Sequence, residues 1–70
     1  MNYRTLGKTG LKVSEIGFGA EWLPNDDPEF ARALTHHAEE AGINIVDCWM
    51  VDPGVRRALG AAVCENRAHW

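Results

Sequence analysis

The chain has 70 residues, with ten acidic and seven basic side chains and a formal net charge of −3. That balance argues against nucleic acid or an anionic membrane as the main partner. No apolar run approaches the roughly 20 residues of a membrane span, and the first residues, 1–5, have no apolar stretch behind them that would make a secretion signal. The sequence therefore predicts a soluble, cytoplasmic protein.

Cysteine usage points to the same compartment. Cys48 and Cys64 form neither a CxxC pair nor a zinc-binding pattern with the histidines. A disulfide between them is an alternative, but two reduced thiols are favoured, since Cys48 lies at the end of an apolar stretch where buried thiols are common. No metal site is predicted.

Residues 1–14 predict a short β-hairpin. Two stretches with strand-forming residues, 2–6 and 11–14, flank a turn with a glycine at each end, 7–10. A hairpin of this size is not stable alone in water, so we expect it to lie against one end of a larger core. The turn does not fit a phosphate-binding loop, because no helix follows it and the glycine spacing is wrong.

A second short strand is predicted over residues 15–20. Gly17 and Gly19 are two apart, so their faces without side chains point the same way. Two interpretations stay open: close approach of the backbone to a ligand or a neighbouring strand, or a crowded barrel interior that requires small residues. A dinucleotide-binding fingerprint would continue into a helix with a third glycine, where this chain has Trp22. Trp22 either lines a pocket, or it plugs the barrel mouth or packs under a loop.

The first helix is predicted to begin at Pro28, with Asp27 as its N-cap, and to end at the left-handed residue Gly42. The residues of its predicted buried stripe recur at helical spacing. They are Phe30, Ala33, Leu34, His37, Ala38 and Ala41. His36 and Glu40 are four apart on the other face, which suits a solvated histidine–carboxylate pair better than a metal site.

Residues 43–46 predict a strand that is buried on both faces, because they are mostly apolar and β-branched. Asp47 follows directly. A carboxylate at the C-terminal end of a buried parallel strand lies at the rim of the sheet, where α/β folds bind ligands and carry out chemistry. Trp49 and Met50 come next, and they either shape a substrate pocket or belong to the core of a longer protein.

The second helix is predicted to begin at Pro53, with Asp52 as its N-cap. Its predicted buried stripe is Val55, Ala58, Leu59, Ala62 and Val63. Arg56 and Arg57 face outward, either as solvated side chains or as partners of an anion or a carboxylate. Residues 68–70 are predicted to start a third strand.

The order of predicted elements is hairpin, strand, helix, strand, helix and the start of a strand. Alternation of strands and helices with short connections predicts right-handed crossover units and a parallel sheet. Parallel sheets need both faces covered, and a chain of this size buries only about 60% of its unfolded surface. We therefore expect an α/β piece of something larger, or a chain completed by a partner.

Three stretches of the chain resemble the N-terminal part of aldo/keto reductases. They are MNYRTLGKTGLKVSEIGFG at residues 1–19, AGINIVD at residues 41–47 and RALGAA at residues 57–62. At the second stretch the family has a strand ending in Phe-Asp-Thr-Ala, and at the third a helix reading Leu-Gly-x-Ala-Leu. The resemblance covers nearly the whole chain, and the first block and its spacing to the aspartate strand are its most specific features.

The resemblance implies a (β/α)8 TIM barrel of roughly 250 residues, which uses NADPH to reduce aldehydes and ketones. This chain would supply an incomplete part of it: the bottom hairpin at residues 1–14, and two βα units with the start of a third strand at residues 15–70. By resemblance Asp47 is the catalytic aspartate, which pairs with a lysine and helps to hold the nicotinamide ribose. Gly19 and Ala20 match the strand end that lies near the nicotinamide.

The chain also departs from the family pattern. The family's proton-donating tyrosine stands five residues after the aspartate, where this chain has Asp52, and the single tyrosine is Tyr3 in the hairpin. An ionised carboxylate is a poor proton donor at neutral pH. Residues 52–57 look more like a divergent branch, in which some members carry a ferredoxin-like iron–sulfur extension at the C-terminus.

Two functions of different classes follow from these observations. The first is an N-terminal fragment of an aldo/keto reductase-like, NAD(P)H-dependent oxidoreductase, which is inactive alone and whose complete form acts on a small carbonyl substrate. The alternative is a small non-enzymatic α/β interaction module that self-association or a partner completes. A third interpretation is a doubly wound nucleotide binder.

Overall fold

The structure is a computed structural model, and it describes residues 1–49 and 52–70. Its elements follow one another as β1 (Tyr3–Thr5), β2 (Lys12–Ser14), β3 (Phe18–Gly19), α1 (Pro28–Glu40), β4 (Val46–Asp47) and α2 (Pro53–Cys64). The strands β1 and β2 form one two-stranded sheet, and β3 and β4 form another. The arrangement is α/β, as the sequence predicts, and the described residues form these two small sheets without closing a barrel.

The hairpin forms where the sequence predicts it. Strand β1 runs antiparallel to β2, with Tyr3 opposite Ser14, and the turn between them has two glycines with positive φ angles. Side-chain hydrogen bonds join the hairpin to the segment that precedes β4. The Tyr3 hydroxyl donates to the carbonyl oxygen of Gly42 at 2.7 Å, and the Asn44 side chain accepts from the Ser14 amide at 2.8 Å. The hairpin thus lies against one end of the larger unit, as expected.

The strands β3 and β4 run parallel, with Phe18 opposite Val46 and Gly19 opposite Asp47. The prediction of a strand at residues 43–46 buried on both faces is wrong, because these residues are only half-buried and β4 itself begins at Val46. The physical reason is that, among the described strands, β4 has a neighbour on one side only. For the same reason Cys48, predicted to be buried, is exposed.

The core lies where the two helices pack on the rim end of the parallel strands. Its buried members are Ala20, Leu23, Ala31, Val55, Ala58 and Leu59. On α2 the predicted stripe is confirmed, with Val63 half-buried at its end. Neither described helix is long and apolar enough to cross a membrane. Cys48 and Cys64, both of which are described, form no disulfide with each other.

The helix α1 has the predicted ends. The Asp27 side chain accepts a hydrogen bond from the Phe30 amide at 3.0 Å, Pro28 occupies the first helical position, and the chain leaves the helix through Gly42, whose φ is +84°. A Cβ at this glycine would lie 2.8 Å from the Tyr3 hydroxyl. Gly42 therefore serves both the helix end and the close approach of the hairpin.

The predicted buried face of α1 is wrong. The residues that are buried are Ala31, Thr35 and Ala38, of which the predicted stripe contains only Ala38. Phe30 and Leu34 are 48% and 37% exposed. The helix packs chiefly against α2, so the face that meets α2 is buried and the more apolar stripe beside it stays in solvent.

The histidines of α1 also differ from the prediction. His36 does not pair with Glu40; its Nε2 lies 2.8 Å from a carboxylate oxygen of Glu65, just past α2. Arg32 donates to both oxygens of the same carboxylate, at 2.8 and 2.9 Å. His37, predicted to pack on the apolar side, has an 82% exposed side chain. Through Arg32 and His36, Glu65 joins α1 to the end of α2.

The third strand predicted to start at residues 68–70 does not form, because residues 65–69 make turns. These turns bring the chain back under the parallel strands. His69 Nε2 donates to the carbonyl oxygen of Ile43 at 2.7 Å, and the Trp70 indole donates to Glu39 at 2.8 Å. The Trp70 ring lies 6.3 Å from the ring of Phe18. These contacts hold residues 69–70 against α1, β3 and the segment that precedes β4.

Candidate functional site

The parallel pairing of β3 and β4 brings the predicted site residues together at one rim. Gly19 lies opposite Asp47 in the register, and the Ala20 amide donates to the Asp47 carbonyl oxygen at 3.1 Å. All three residues therefore lie at the C-terminal ends of two adjacent parallel strands. This is the end at which parallel α/β structures bind their ligands.

The Asp47 side chain is exposed. Within the part of the chain that the structure describes, its carboxylate makes no hydrogen bond and no ion pair with another side chain. A carboxylate that the fold does not use is a hydrogen-bond acceptor for a hydroxyl or a partner for a cation. Asp47 therefore meets the first requirement of a ligand-binding group, which is an available polar atom at the rim.

Gly17, just before β3, and Gly19, within β3, have different surroundings. A Cβ on Gly17 would make ordinary contact with the Ile45 side chain at 3.5 Å, whereas a Cβ on Gly19 would meet nothing within 4 Å. The open space at Gly19 argues against the interpretation of a crowded interior at that residue.

Ala20 contributes differently from the other two residues. Its side chain is 1% exposed and belongs to the core between the helices, so only its backbone borders the rim. Its amide is already bonded to the Asp47 carbonyl oxygen. Ala20 therefore fixes the position of Asp47 relative to β3, and its side chain is not available to a ligand.

Two tryptophans follow the paired strands at this rim. Trp22 is 88% exposed and Trp49 is 65% exposed. Packing of Trp22 under a loop, one of its two predicted roles, is wrong. Met50, the other residue that the sequence assigned to a pocket or a core, lies outside the described residues. The rim thus presents two indole rings to solvent.

Asp52 has a role within the fold. Its carboxylate accepts from the backbone amides of Gly54 and Val55, at 2.8 and 3.4 Å, and caps α2. These amides would otherwise lack a partner at the start of the helix, so the fold itself uses the Asp52 carboxylate. The single tyrosine, Tyr3, is bonded at the opposite end of the strands. The described residues therefore place no phenolic proton donor beside Asp47.

One contact at the rim was not anticipated from the sequence. The loop before α1 packs on the first turn of α2, where a Cβ on Gly54 would clash with the Asn25 side chain and come within 2.7 Å of Asp26. Asp26 has a positive φ of 52° and lies 3.9 Å from Arg57. Gly54 is the sequence feature that could have predicted this contact, since a glycine in the first turn of a helix often marks a close approach of another segment.

The described residues contain no group of three or more histidine, cysteine or acidic side chains placed to hold a metal ion. The rim thus carries exposed carboxylates at Glu21 and Asp47, an open glycine and two exposed indoles. Among the described residues it includes no phenolic proton donor, because Tyr3 is bonded at the opposite end of the strands.

Comparison with known proteins gives one similarity. No family model matches the chain, and no solved structure matches it significantly. The chain is 38% identical over 50 residues to a probable voltage-gated potassium channel subunit beta from Oryza sativa subsp. japonica. The alignment covers 67% of this chain, and this chain spans only 15% of the length of that relative.

Proposed function

We propose that this chain is the N-terminal part of an aldo/keto reductase-like, NAD(P)H-dependent oxidoreductase built as a (β/α)8 barrel. The observation that carries the proposal is the in-register pairing of Gly19 with Asp47 at the C-terminal ends of two parallel strands. That rim is the ligand-binding face of such barrels. The resemblance of residues 1–19, 41–47 and 57–62 to aldo/keto reductases supports the same family.

NADPH is the cofactor in this proposal, and when bound it supplies the hydride that reduces a carbonyl group. Asp47 would be the catalytic and cofactor-binding residue of this chain, pairing with the family's lysine and helping to hold the nicotinamide ribose. Gly19 would leave room for the nicotinamide, and the Ala20 amide holds the end of β3 against Asp47. The substrate is a small carbonyl compound, and the protein acts in the cytoplasm without a nucleic-acid or membrane partner.

Proton donation is the step that this part of the barrel does not provide. Asp52 stands in the place of the family's tyrosine, and its carboxylate caps α2. A carboxylate that already accepts from two backbone amides of the helix is poorly placed to donate a proton to a developing alkoxide. We therefore propose that residues 1–70 are inactive alone and that this N-terminal part, even within a complete barrel, supports cofactor binding better than turnover.

The test is a chimera in which residues 1–70 replace the corresponding N-terminal segment of an active aldo/keto reductase. We expect the chimera to bind NADPH, measured by quenching of protein fluorescence, and to reduce a model aldehyde poorly. Asp52→Tyr restores the proton donor, so it should raise kcat by a factor of about 100 or more, the usual contribution of general acid catalysis.

Asp47→Asn is the companion variant, and Asp26→Asn is its matched control because Asp26 is an exposed carboxylate in the loop before α1. We expect Asp47→Asn to weaken NADPH binding about tenfold, as loss of one charge-assisted hydrogen bond does, and Asp26→Asn to leave it unchanged. NADPH binding that is insensitive to Asp47 would contradict the proposed site, and aldehyde reduction by the 70-residue chain alone would contradict its proposed inactivity.

The structure also favours a second candidate, a small interaction module. Both strands of the parallel pair have only one neighbour each among the described strands, and apolar side chains such as Phe30, Leu34 and Leu11 are exposed. A chain with open strand edges and exposed apolar side chains is completed by another polypeptide. Sedimentation velocity tests this candidate: a folded chain that associates supports it, and a chain that unfolds or precipitates contradicts it.

A further inference from the structure

Two locally unfavourable backbone choices meet where the loop before α1 touches the first turn of α2. Glycine is less favourable than most residues inside a helix, and Gly54 is buried in the first turn of α2. Asp26, on the loop side of the contact, has a φ of 52°, a left-handed conformation that disfavours residues other than glycine. Strain of this kind persists where the surrounding structure requires it, and it is frequent at ligand sites. The contact therefore calls for a functional explanation.

The approach of the loop to α2 is close enough to require a glycine. A Cβ at Gly54 would clash with the Asn25 Oδ1 atom and would lie 2.7 Å from Asp26 Oδ1. A Cβ at Gly60, in the same helix, would meet nothing within 4 Å. The ion pair between Asp26 and Arg57 is long, at 3.9 Å, and both side chains are exposed, so it contributes little. The small size of Gly54, more than charge, lets the loop lie here.

A short series of contacts connects this point to the proposed ligand site. Leu23, earlier in the same loop, is buried in the core cluster that also contains Val55, the residue after Gly54. The Leu23 amide donates to the Ala20 carbonyl oxygen at 3.3 Å, and the Ala20 amide donates to the Asp47 carbonyl oxygen at 3.1 Å. Packed and bonded groups therefore lead from the first turn of α2 to Asp47 at the rim.

We propose that Gly54 is a positioning residue for the rim site: by admitting the loop to the first turn of α2, it holds the turn at residues 20–23 against Asp47. This inference rests on the proposed oxidoreductase function and deepens it, since the ligand whose affinity is affected is NADPH. A loop that the fold already holds in place does not have to be ordered when the ligand binds, so the contact raises the affinity.

The first measurement is hydrogen exchange in the 70-residue chain, followed by NMR at the amides of Ala20 and Leu23. Gly54→Ala should accelerate exchange at both amides about threefold to tenfold, the usual range for a residue that acts through others. Gly60→Ala is the matched control, the same substitution in the same helix without a clash, and it should leave both rates within about twofold. Circular dichroism of each variant measures whether the helices remain folded.

A double-mutant cycle separates the contact from a general effect on α2. Asn25→Ala removes the atom that a Cβ at Gly54 would meet first, so it loosens the contact without a clash and should accelerate the same exchange about twofold. Asn25→Ala combined with Gly54→Ala should return to the level of Asn25→Ala alone, because the two effects share one contact. Asn25→Ala also keeps the test decisive if Gly54→Ala does not fold.

The second measurement is NADPH affinity in the chimera that carries residues 1–70 in an active aldo/keto reductase. Gly54→Ala should weaken binding about threefold to tenfold, and Gly60→Ala should not change it. If Gly54→Ala and Asn25→Ala leave the Ala20 amide or the NADPH affinity unchanged, or if their effects simply add, the positioning role is wrong and the proposed function stands. If the unsubstituted chimera does not bind NADPH, the proposed function is overturned and the inference with it. An Ala20 amide that is unprotected in the unsubstituted chain also overturns the inference, because the turn is then not held against Asp47.

Discussion

The two ends of the parallel strand pair use their polar groups in opposite ways. At the N-terminal end, three side chains bond to a backbone group of another segment: those of Tyr3, Asn44 and His69. At the C-terminal end, the Asp47 carboxylate is exposed and makes no side-chain bond within the described residues. Trp22 and Trp49 are exposed beside it.

This difference separates stability from binding within a very small chain. Side chains at the closed end have exchanged water for partners in the fold, so their removal should lower the free energy of unfolding. Exposed side chains at the open end such as Asp47 and Trp22 have made no such exchange within the described residues, so their removal should leave stability nearly unchanged. Barrel enzymes divide their two faces in the same way. The following experiments test that division.

The largest difference is expected between two tryptophans. Trp70→Ala removes a half-buried indole that packs on Phe18 and bonds to Glu39, which should lower the free energy of unfolding by about 2 to 3 kcal/mol. That is a large share of the stability of a chain this short. Trp22→Ala, at a side chain that is 88% exposed, should change it by less than about 0.5 kcal/mol. Urea unfolding followed by circular dichroism measures both, and equal losses would contradict the division.

The next largest effect is expected at Asn44. Its side chain accepts from the Ser14 amide and donates to the Lys12 carbonyl oxygen, at 2.8 and 2.9 Å, and so joins the hairpin to β4. Asn44→Ala should cost about 1 to 2 kcal/mol, because it leaves a part-buried amide without a partner. Asn66→Ala, in the exposed turns after α2, is the control and should be near neutral. Hydrogen exchange at Ser14 should also accelerate in the first variant, and an unchanged exchange rate would count against the proposed role of Asn44.

The features that could be predicted from sequence are the ones that local chemistry decides. Asp27 and Asp52 each precede a proline, and both cap a helix as predicted. Gly42 adopts the predicted left-handed conformation. The parallel direction of β3 and β4 was also predicted, because a strand–helix–strand connection in one sheet joins parallel strands.

The features that could not be predicted depend on what packs where. The stripe of α1 that contains Phe30 and Leu34 is the more apolar one, yet the face with Thr35 is buried, because α2 lies against that face. The helical periodicity of apolar residues shows that a helix has a buried face, but it does not show which other element packs against that face. Likewise, residues 68–70 have a plausible strand composition, but Trp70 finds Phe18 and Glu39 in three dimensions. No local pattern contains that information.

A pair of carboxylates at the open end sharpens the comparison. Asp52→Ala should cost about 1 kcal/mol, since it removes the cap that accepts from Gly54 and Val55. Asp47→Ala should cost less than about 0.5 kcal/mol, although the two aspartates are five residues apart. Thermal unfolding followed at the helical circular dichroism signal compares them. A larger loss at Asp47 than at Asp52 would show that the rim aspartate has a structural role after all.

The smallest effect is expected from pH, at the contact between Glu65 and α1. Hydrogen bonds from Arg32, and then from His36, hold the pKa of the Glu65 carboxyl below its usual value near 4.5. Because this pKa is lower in the folded chain than in the unfolded one, the contact stabilises the fold at every pH above the usual carboxyl range. That contribution is lost as the pH falls through the lowered pKa. Glu65→Gln should therefore flatten part of the acid limb of stability against pH, whereas Glu21→Gln, an exposed carboxylate at the open end, should leave the limb unchanged. The effect is small because Glu65 is solvated. If stability falls with decreasing pH in the same way in both variants, the contact does not hold α1 and α2 together.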